Sequence, residues 1–158
     1  MASLNPNEMV SYVGIASKEE FPETPVAYKQ FTIIENLYVP KPKPNIEEVN
    51  KISASVLIKD SKVIQSPYDI KLLVSGIVKQ RIVYTADKPE QPVHHFHFDI
   101  PFCELVILNE KKICSQHVLA KPFIEDIHIF HTEKRKIKVC KVICICITDT
   151  DCCNRPRK

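Results

Sequence analysis

Two glycines, Gly14 and Gly76, and no tryptophan occur in 158 residues. Two glycines so far apart exclude the phosphate-cradling loop and the dinucleotide fingerprint, each of which needs two or more glycines a few residues from one another. Turns must instead be made by twelve prolines and by Asn, Asp and Lys. No apolar run approaches the roughly 20 residues of a membrane helix, so no membrane insertion is expected. The opening MASLNPNEMVSYVG has neither the charged start nor the long apolar stretch of a secretory signal, and synthesis in the cytoplasm is the expectation. Charge of one sign is lacking too. The net charge is +3 and most basic residues are interleaved with acids, which argues against a nucleic-acid partner. There is no nucleophile elbow and no HExxH, and nothing in the spacing pairs the acidic residues. Neither an enzyme nor a cofactor is expected.

What is present is β-structure and cysteine. Hydrophobic residues make up 44% and charged residues 26%, which at this length suits one domain with a real core. The most patterned stretch is Lys136 to Thr148, KIKVCKVICICIT. Ile137, Val139, Ile143, Ile145 and Ile147 fall on odd positions, broken by Lys141; Cys140, Val142, Cys144 and Cys146 fall on even ones. Successive strand side chains point to opposite faces, so one face is aliphatic and the other carries three thiols. Cys152 and Cys153 follow, then the basic end Arg155, Arg157 and Lys158.

The chain before this strand divides readily. Residues 1–28, broken by Pro6, Gly14, Pro22 and Pro25, read as an arm with one short alternating patch from Met9 to Ile15. It is either a frayed terminus or a strand that adds to a neighbouring subunit. Residues 29–148 read as the β-domain and 149–158 as a cysteine-rich basic tail. Within the domain, strands are expected at Gln30 to Tyr38, Lys51 to Lys59, Tyr68 to Thr85, Val93 to Asp99, Pro101 to Leu108, Phe123 to Thr132 and the thiol-bearing stretch, with a shorter one at Ile113 to Ala120. Asn45 to Asn50, with an N-cap residue and early acids, predicts one helical turn. Asp60-Ser61 predicts a turn, and Gly76 a bend in a strand too long to run straight. The expected fold is all-β: an antiparallel sandwich, jelly-roll-like or barrel-like, with an extended N-terminal arm and a Cys-rich C-terminal strand and tail.

Two sets of side chains carry candidate chemistry. The seven cysteines are an odd number, which leaves at least one thiol unpaired within a monomer and favours bridges between chains. Their spacing toward the end of the chain, C-x3-C-x-C-x5-C-C, does not supply two zinc knuckles, and no C-x-x-C redox motif is present. Cys140, Cys144, Cys146, Cys152 and Cys153, with Cys103 and Cys114, are therefore disulfide candidates. Cys144 and Cys146 lie about 6.5–7 Å apart along a strand, at the limit of Cα separation for a bridge to each other, and are better placed to bond elsewhere. Cys103, in an apolar strand, is also readable as a small buried residue. The second set is His94-His95-Phe96-His97. His95 and His97 share a strand face and are weak metal-ligand candidates, since a third ligand must come from elsewhere. His128 and His131 fall on opposite faces of another strand.

The stretch YKQFTIIENLYVPKPKPNIEEVNKISASVLIKDSKVI, followed by VSGIVKQRIVYTADKPEQPVHHFHFDIPFCELVIL, resembles the SPOCS domain of endospore-forming bacteria. The matching residues are Pro40 and Pro44, Ile46 and Glu47, Lys62 to Ile64, Gly76, Tyr84, Gln91 to His94, and Phe98 to Phe102. The resemblance covers about Tyr28 to Leu108 and continues more weakly to Thr148. It implies a β-rich module of spore coat and exosporium morphogenesis, working by binding other coat proteins and building layers rather than by catalysis. It also makes His94 part of a family pattern, which weakens a metal role for that residue. The chain departs from some larger relatives in lacking a LysM module and in ending in the thiol-rich tail. Its implied place is the spore surface, as coat, exosporium or appendage.

Three functions are consistent with these features. The first is a structural subunit that self-assembles into a fibre or layer through strand contacts and disulfides, with itself and other spore coat or exosporium proteins as partners. The second is a non-polymerising adaptor for one coat protein. The third is a Cys/His metal-binding protein.

Overall fold

The computed structural model describes residues 10–108 and 118–149. The expected strand at Ile113 to Ala120 is described only from Val118, and Cys114, Cys152, Cys153 and the basic tail lie outside the described residues. Seven strands are described: β1 (Ser11–Val13), β2 (Ala27–Tyr38), β3 (Ile46–Gln65), β4 (Ile70–Ala86), β5 (Val93–Leu108), β6 (Val118–Thr132) and β7 (Lys136–Asp149). A single 3-10 turn, Lys18–Glu20, is the one helical element among the described residues. The strands form two sheets, β1-β3-β4-β5 and β2-β7-β6. All pairings are antiparallel except β1 with β3, which is parallel. The architecture is a sandwich of two separate sheets and not a closed barrel.

Alternation explains which face of each strand turns inward. On β4, Leu72, Val74, Val78, Ile82, Tyr84 and Ala86 are buried; on β7, so are Ile137, Val139, Ile143, Ile145 and Ile147. These faces meet in two apolar clusters. One holds Leu37, Ile46, Val49, Ile52, Ile82, Tyr84, Ile137 and Val139, the other Leu72, Val74, Val106, Leu108, Ile145 and Ile147.

Four local expectations are corrected. Asn45 to Asn50 forms no helical turn, because Ile46 already begins β3 opposite Ala86. Register shifts between Ile46 and Glu48 and between Val49 and Lys51 each insert a residue, so Ile46, Val49 and Ile52 all face the core. Two bulges in a strand thus imitate the three-residue spacing of a helix. Asp60-Ser61 is no turn either: both residues continue β3, just past a third bulge between Ile58 and Asp60. That bulge lies on β3, opposite Gly76, and β4 itself runs unbroken from Ile70 to Ala86. At Gly76 a Cβ would stand 2.3 Å from the Leu57 carbonyl oxygen and 2.8 Å from the Phe102 ring, so this glycine serves close packing. Finally, Val93 to Leu108 is one strand, with Pro101 tolerated because β5 is an edge.

Candidate functional site

Three places in the sandwich bring chemistry-bearing residues together. The first is the pole formed by the loops 39–45 and 87–92 and the turn 133–135. Lys43 N–H donates to the Pro40 carbonyl at 3.0 Å, closing a turn within the proline run. Arg135 then ties that run down. Its guanidinium donates to the carbonyls of Lys43 (2.9 Å), Pro40 (2.9 Å) and Val39 (3.3 Å) and to Asn45 Oδ1 (2.9 Å). Proline removes backbone donors but leaves carbonyls, and a five-donor guanidinium suits such an acceptor-rich loop. Tyr84 Oη donates to the Pro44 carbonyl at 2.7 Å, and its ring stacks on His94 with centroids 6.0 Å apart. Burial pushes the Tyr84 phenol above its ordinary pKa. Gln91, at φ 48°, donates to the Glu47 carboxylate at 3.0 and 3.2 Å. Pro40, Pro44, Glu47, Tyr84, Gln91 and His94, far apart in sequence, thus converge at one end of the molecule.

The second place is the thiol row of β7 and the arm that covers it. β1 docks beside β3, with Tyr12 opposite Ile52, and packs Val10 and Tyr12 against the core. Tyr12 Oη accepts the Ile129 N–H of β6 at 3.2 Å. The chain then changes sheet. Ile15 bridges Ile124, and Ala16 N–H donates to the Ile124 carbonyl at 2.8 Å. Gly14 makes this passage at φ 114°, where a Cβ would stand 2.0 Å from the Ala54 carbonyl oxygen. Residues 10–16 therefore close the gap between β3 and β6.

Residues 17–26 continue across the outer face of the second sheet. Phe21 lies on Phe123, ring centroids 4.6 Å apart, and Phe123 is the cross-strand neighbour of Cys144. Val26 N–H reaches the Ile147 carbonyl at 2.9 Å on the far side of β7. Gln30 on β2 donates to Glu125 on β6 at 2.8 and 3.1 Å, a second clasp over the same strand.

Cys140, Cys144 and Cys146 are buried although they sit on the face turned away from the core, Cys144 beside the Phe21–Phe123 contact. All three are free thiols, and the Sγ atoms of Cys144 and Cys146 are 3.7 Å apart. Burial, aided by the Cys146 thiol and the Glu125 carboxylate, pushes Cys144 up to about 12. Burial also raises Cys140 and Cys146. Cys103, by contrast, is exposed on the outer face of edge strand β5, which corrects the reading of it as a small buried residue.

The third place was not found from the sequence. Lys141 lies on the inner face of β7, fully buried, between Val139 and Ile143. Its Nζ donates to Gln80 Oε1 of β4 at 2.7 Å and lies 3.7 Å from Glu35 Oε1 of β2. Gln80 is 2% exposed. The signal was present in the sequence, since a lysine interrupting an aliphatic strand face requires a buried partner. Desolvation lowers the Lys141 pKa and raises that of Glu35, each moving toward its neutral form.

The histidines gather less. His95 and His97 stand edge to face with centroids 5.7 Å apart. The Arg81 guanidinium, ahead of desolvation, lowers the His95 pKa, and a fixed positive charge there also opposes a cation. Among the described residues no group of three His, Cys, Asp or Glu side chains is arranged to hold a metal ion. His128 Nδ1 pairs with Asp126 at 2.8 Å and His131 Nε2 with Glu133 at 3.2 Å. No helix among the described residues is long and apolar enough to cross a membrane.

No curated protein and no solved structure matches the chain. A family model described as SipL, SPOCS domain, matches residues 45–132. The match takes in β3, β4, β5 and β6, together with Glu47, Tyr84, Gln91 and His94 of the knitted pole. Since it covers over half of the sequence, the chain belongs to the SPOCS-domain family, a structural and spore-associated one.

Proposed function

We propose that this chain is a structural subunit of the spore surface that self-assembles into a fibre or layer. The observation that carries the proposal is the arm. Residues 10–16 are a short segment lying in a groove between the edges of β3 and β6, held by backbone pairing, one tyrosine and one positive-φ glycine. A groove that accepts a strand from its own chain accepts the same strand from a neighbour, and the exchange satisfies the same backbone hydrogen bonds. The opposite edge supports association as well. β5 is 16 residues long, and Val93, Leu105 and Ile107 are exposed along it beside Cys103. An unpaired edge of this length offers a row of backbone donors and acceptors to another strand.

Disulfides then lock the assembly. Cys103 is the accessible thiol among the described residues, with Cys114, Cys152 and Cys153 the further candidates. Cys140, Cys144 and Cys146 join them only where the arm and its clasp have moved aside. A covalent bridge between subunits makes dissociation kinetically remote, which suits a dormant shell.

The test is negative-stain electron microscopy of the purified protein in buffer, in denaturant, and in denaturant with reductant. Ordered assemblies that survive denaturant and dissolve with reductant are expected. Discrete particles in every condition overturn the proposal and favour an adaptor that binds another coat protein. A chain lacking residues 1–20 is expected to fold without polymerising; if it still polymerises, the arm is not the connector. Stoichiometric metal in protein purified without chelator, with assembly lost on its removal, would favour the metal-binding alternative.

A further inference from the structure

Lys141, Gln80 and Glu35 occupy the middle of the sandwich, on β7, β4 and β2, and form a polar island flanked by apolar side chains. Their hydrogen bonding is incomplete. An ammonium has three donors, and the one hydrogen bond of Lys141 Nζ is to Gln80 Oε1 at 2.7 Å. Gln80 Nε2 is buried with no acceptor, and Glu35 Oε1 is buried with no hydrogen bond, its contact with Lys141 Nζ being an ion pair at 3.7 Å. Unmet polar groups in a packed core are destabilising, so the arrangement needs a reason.

The three groups are the parts of an amide-forming reaction. A desolvated lysine amine is a nucleophile. A carboxamide carbon, one C=O bond beyond the oxygen that Nζ already touches, is an electrophile. A carboxyl group beside both is a proton carrier. We propose that Lys141 and Gln80 join in an intramolecular isopeptide bond, with Glu35 carrying the proton.

In this step the Nζ lone pair attacks Gln80 Cδ, and a Cδ–Nζ bond forms. Glu35 takes a proton from Nζ and delivers one to Nε2. The Cδ–Nε2 bond breaks, and ammonia leaves with that electron pair. Amine plus primary amide becomes secondary amide plus ammonia; nothing is oxidised or reduced, and Glu35 ends as it began. The opposed pKa directions of Lys141 and Glu35 favour the neutral amine and the protonated carboxyl that this step requires. The product also repairs the deficit. The lysine charge and the unpartnered Nε2 are gone, and the one remaining N–H has the Glu35 carboxyl as its acceptor. The rigid sandwich supplies the proximity that makes such a reaction effectively unimolecular. The bond ties the central strand of one sheet to an interior strand of the other, and it forms whether or not the chain polymerises.

The test is intact mass spectrometry of the full-length folded protein after reduction and denaturation. The mass is expected to fall short of the sequence mass by one ammonia. A tryptic digest is expected to contain a branched peptide joining Gln80-Arg81 to the segment that begins at Val139. Lys141→Arg and Glu35→Gln are expected to show the full sequence mass. Wild-type protein at full sequence mass, with a free peptide ending at Lys141, overturns the proposal without recourse to any variant. An ammonia loss that persists in Lys141→Arg, or that maps to another residue, overturns it equally. A branched peptide still formed in Glu35→Gln removes Glu35 from the assigned chemistry.

Discussion

Two regions of this sandwich, one pole and the outer face of the second sheet, are held in opposite ways. At the pole of the proline loop the structure is knitted by side-chain hydrogen bonds: three from Arg135 and one from Tyr84 to backbone carbonyls, one from Arg135 to the Asn45 side chain, and the Gln91–Glu47 pair. At the thiol row of β7 the covering is a strap that the chain lays over its own sheet. It is fastened at its ends by Ala16 and Val26 and in the middle by the Phe21–Phe123 contact. The pole is set by several side-chain contacts drawn from distant parts of the chain. The second can open by lifting a short segment while the core stays closed. A protein that must keep its shape yet join a neighbour has reason to separate these properties.

The largest effect is expected where the knitting is densest. Arg135→Ala strands several carbonyls of the proline loop and should cost about 3 kcal/mol, read as a lowered denaturant midpoint with an unchanged slope. Tyr84→Phe removes one hydrogen bond and leaves the ring in place, and should cost about 1–2 kcal/mol by the same measurement. The strap should answer differently. Gly14→Ala meets the Ala54 carbonyl and a φ of 114°, and should lower global stability by only about 1 kcal/mol. Its main consequence should be at the thiols, where alkylation of Cys144 and Cys146 rises toward that of exposed Cys103, followed by mass spectrometry of labelled peptides. Equal protection in Gly14→Ala and wild type would mean that the strap is not the cover.

The last effect is one of pH, absent at neutrality and seen only in alkali. With Cys144 near 12, roughly one thiol in ten thousand is ionised at pH 8, so Cys103 should be labelled first. The folded state holds this proton more tightly than the unfolded chain. The associated stability is therefore complete below the unfolded thiol value, about 8.5, and is lost as pH rises toward the folded one. Cys140 and Cys146 add in the same direction. A denaturant midpoint that declines above about pH 9 is expected, and one flat to pH 11 would place these thiols in open solvent.

How legible these regions were depended on how local their causes are. The alternation of β7 located its two faces, and the tyrosine, glutamine and proline motifs pointed to the family whose model spans residues 45–132. The strand beginning at Ile46 was misread because two bulges put three apolar residues on one face at helical spacing. Lys141 was visible as an interruption, but its partners are 61 and 106 residues away, and no local pattern names them.

By itself the sequence determined the β class, the inward face of most strands, the family and the accumulation of thiols on one side of β7. Those follow from period-two alternation and from residue identity, which are properties of neighbours along the chain. Tertiary structure alone decided that the thiol face is buried, that Cys103 is exposed, and that the arm zips β3 to β6. It also decided that Lys141 meets Gln80 and Glu35 between the sheets. The physical reason is the same in each case. Whether a strand face is covered, and by what, depends on segments brought over it from elsewhere in the chain.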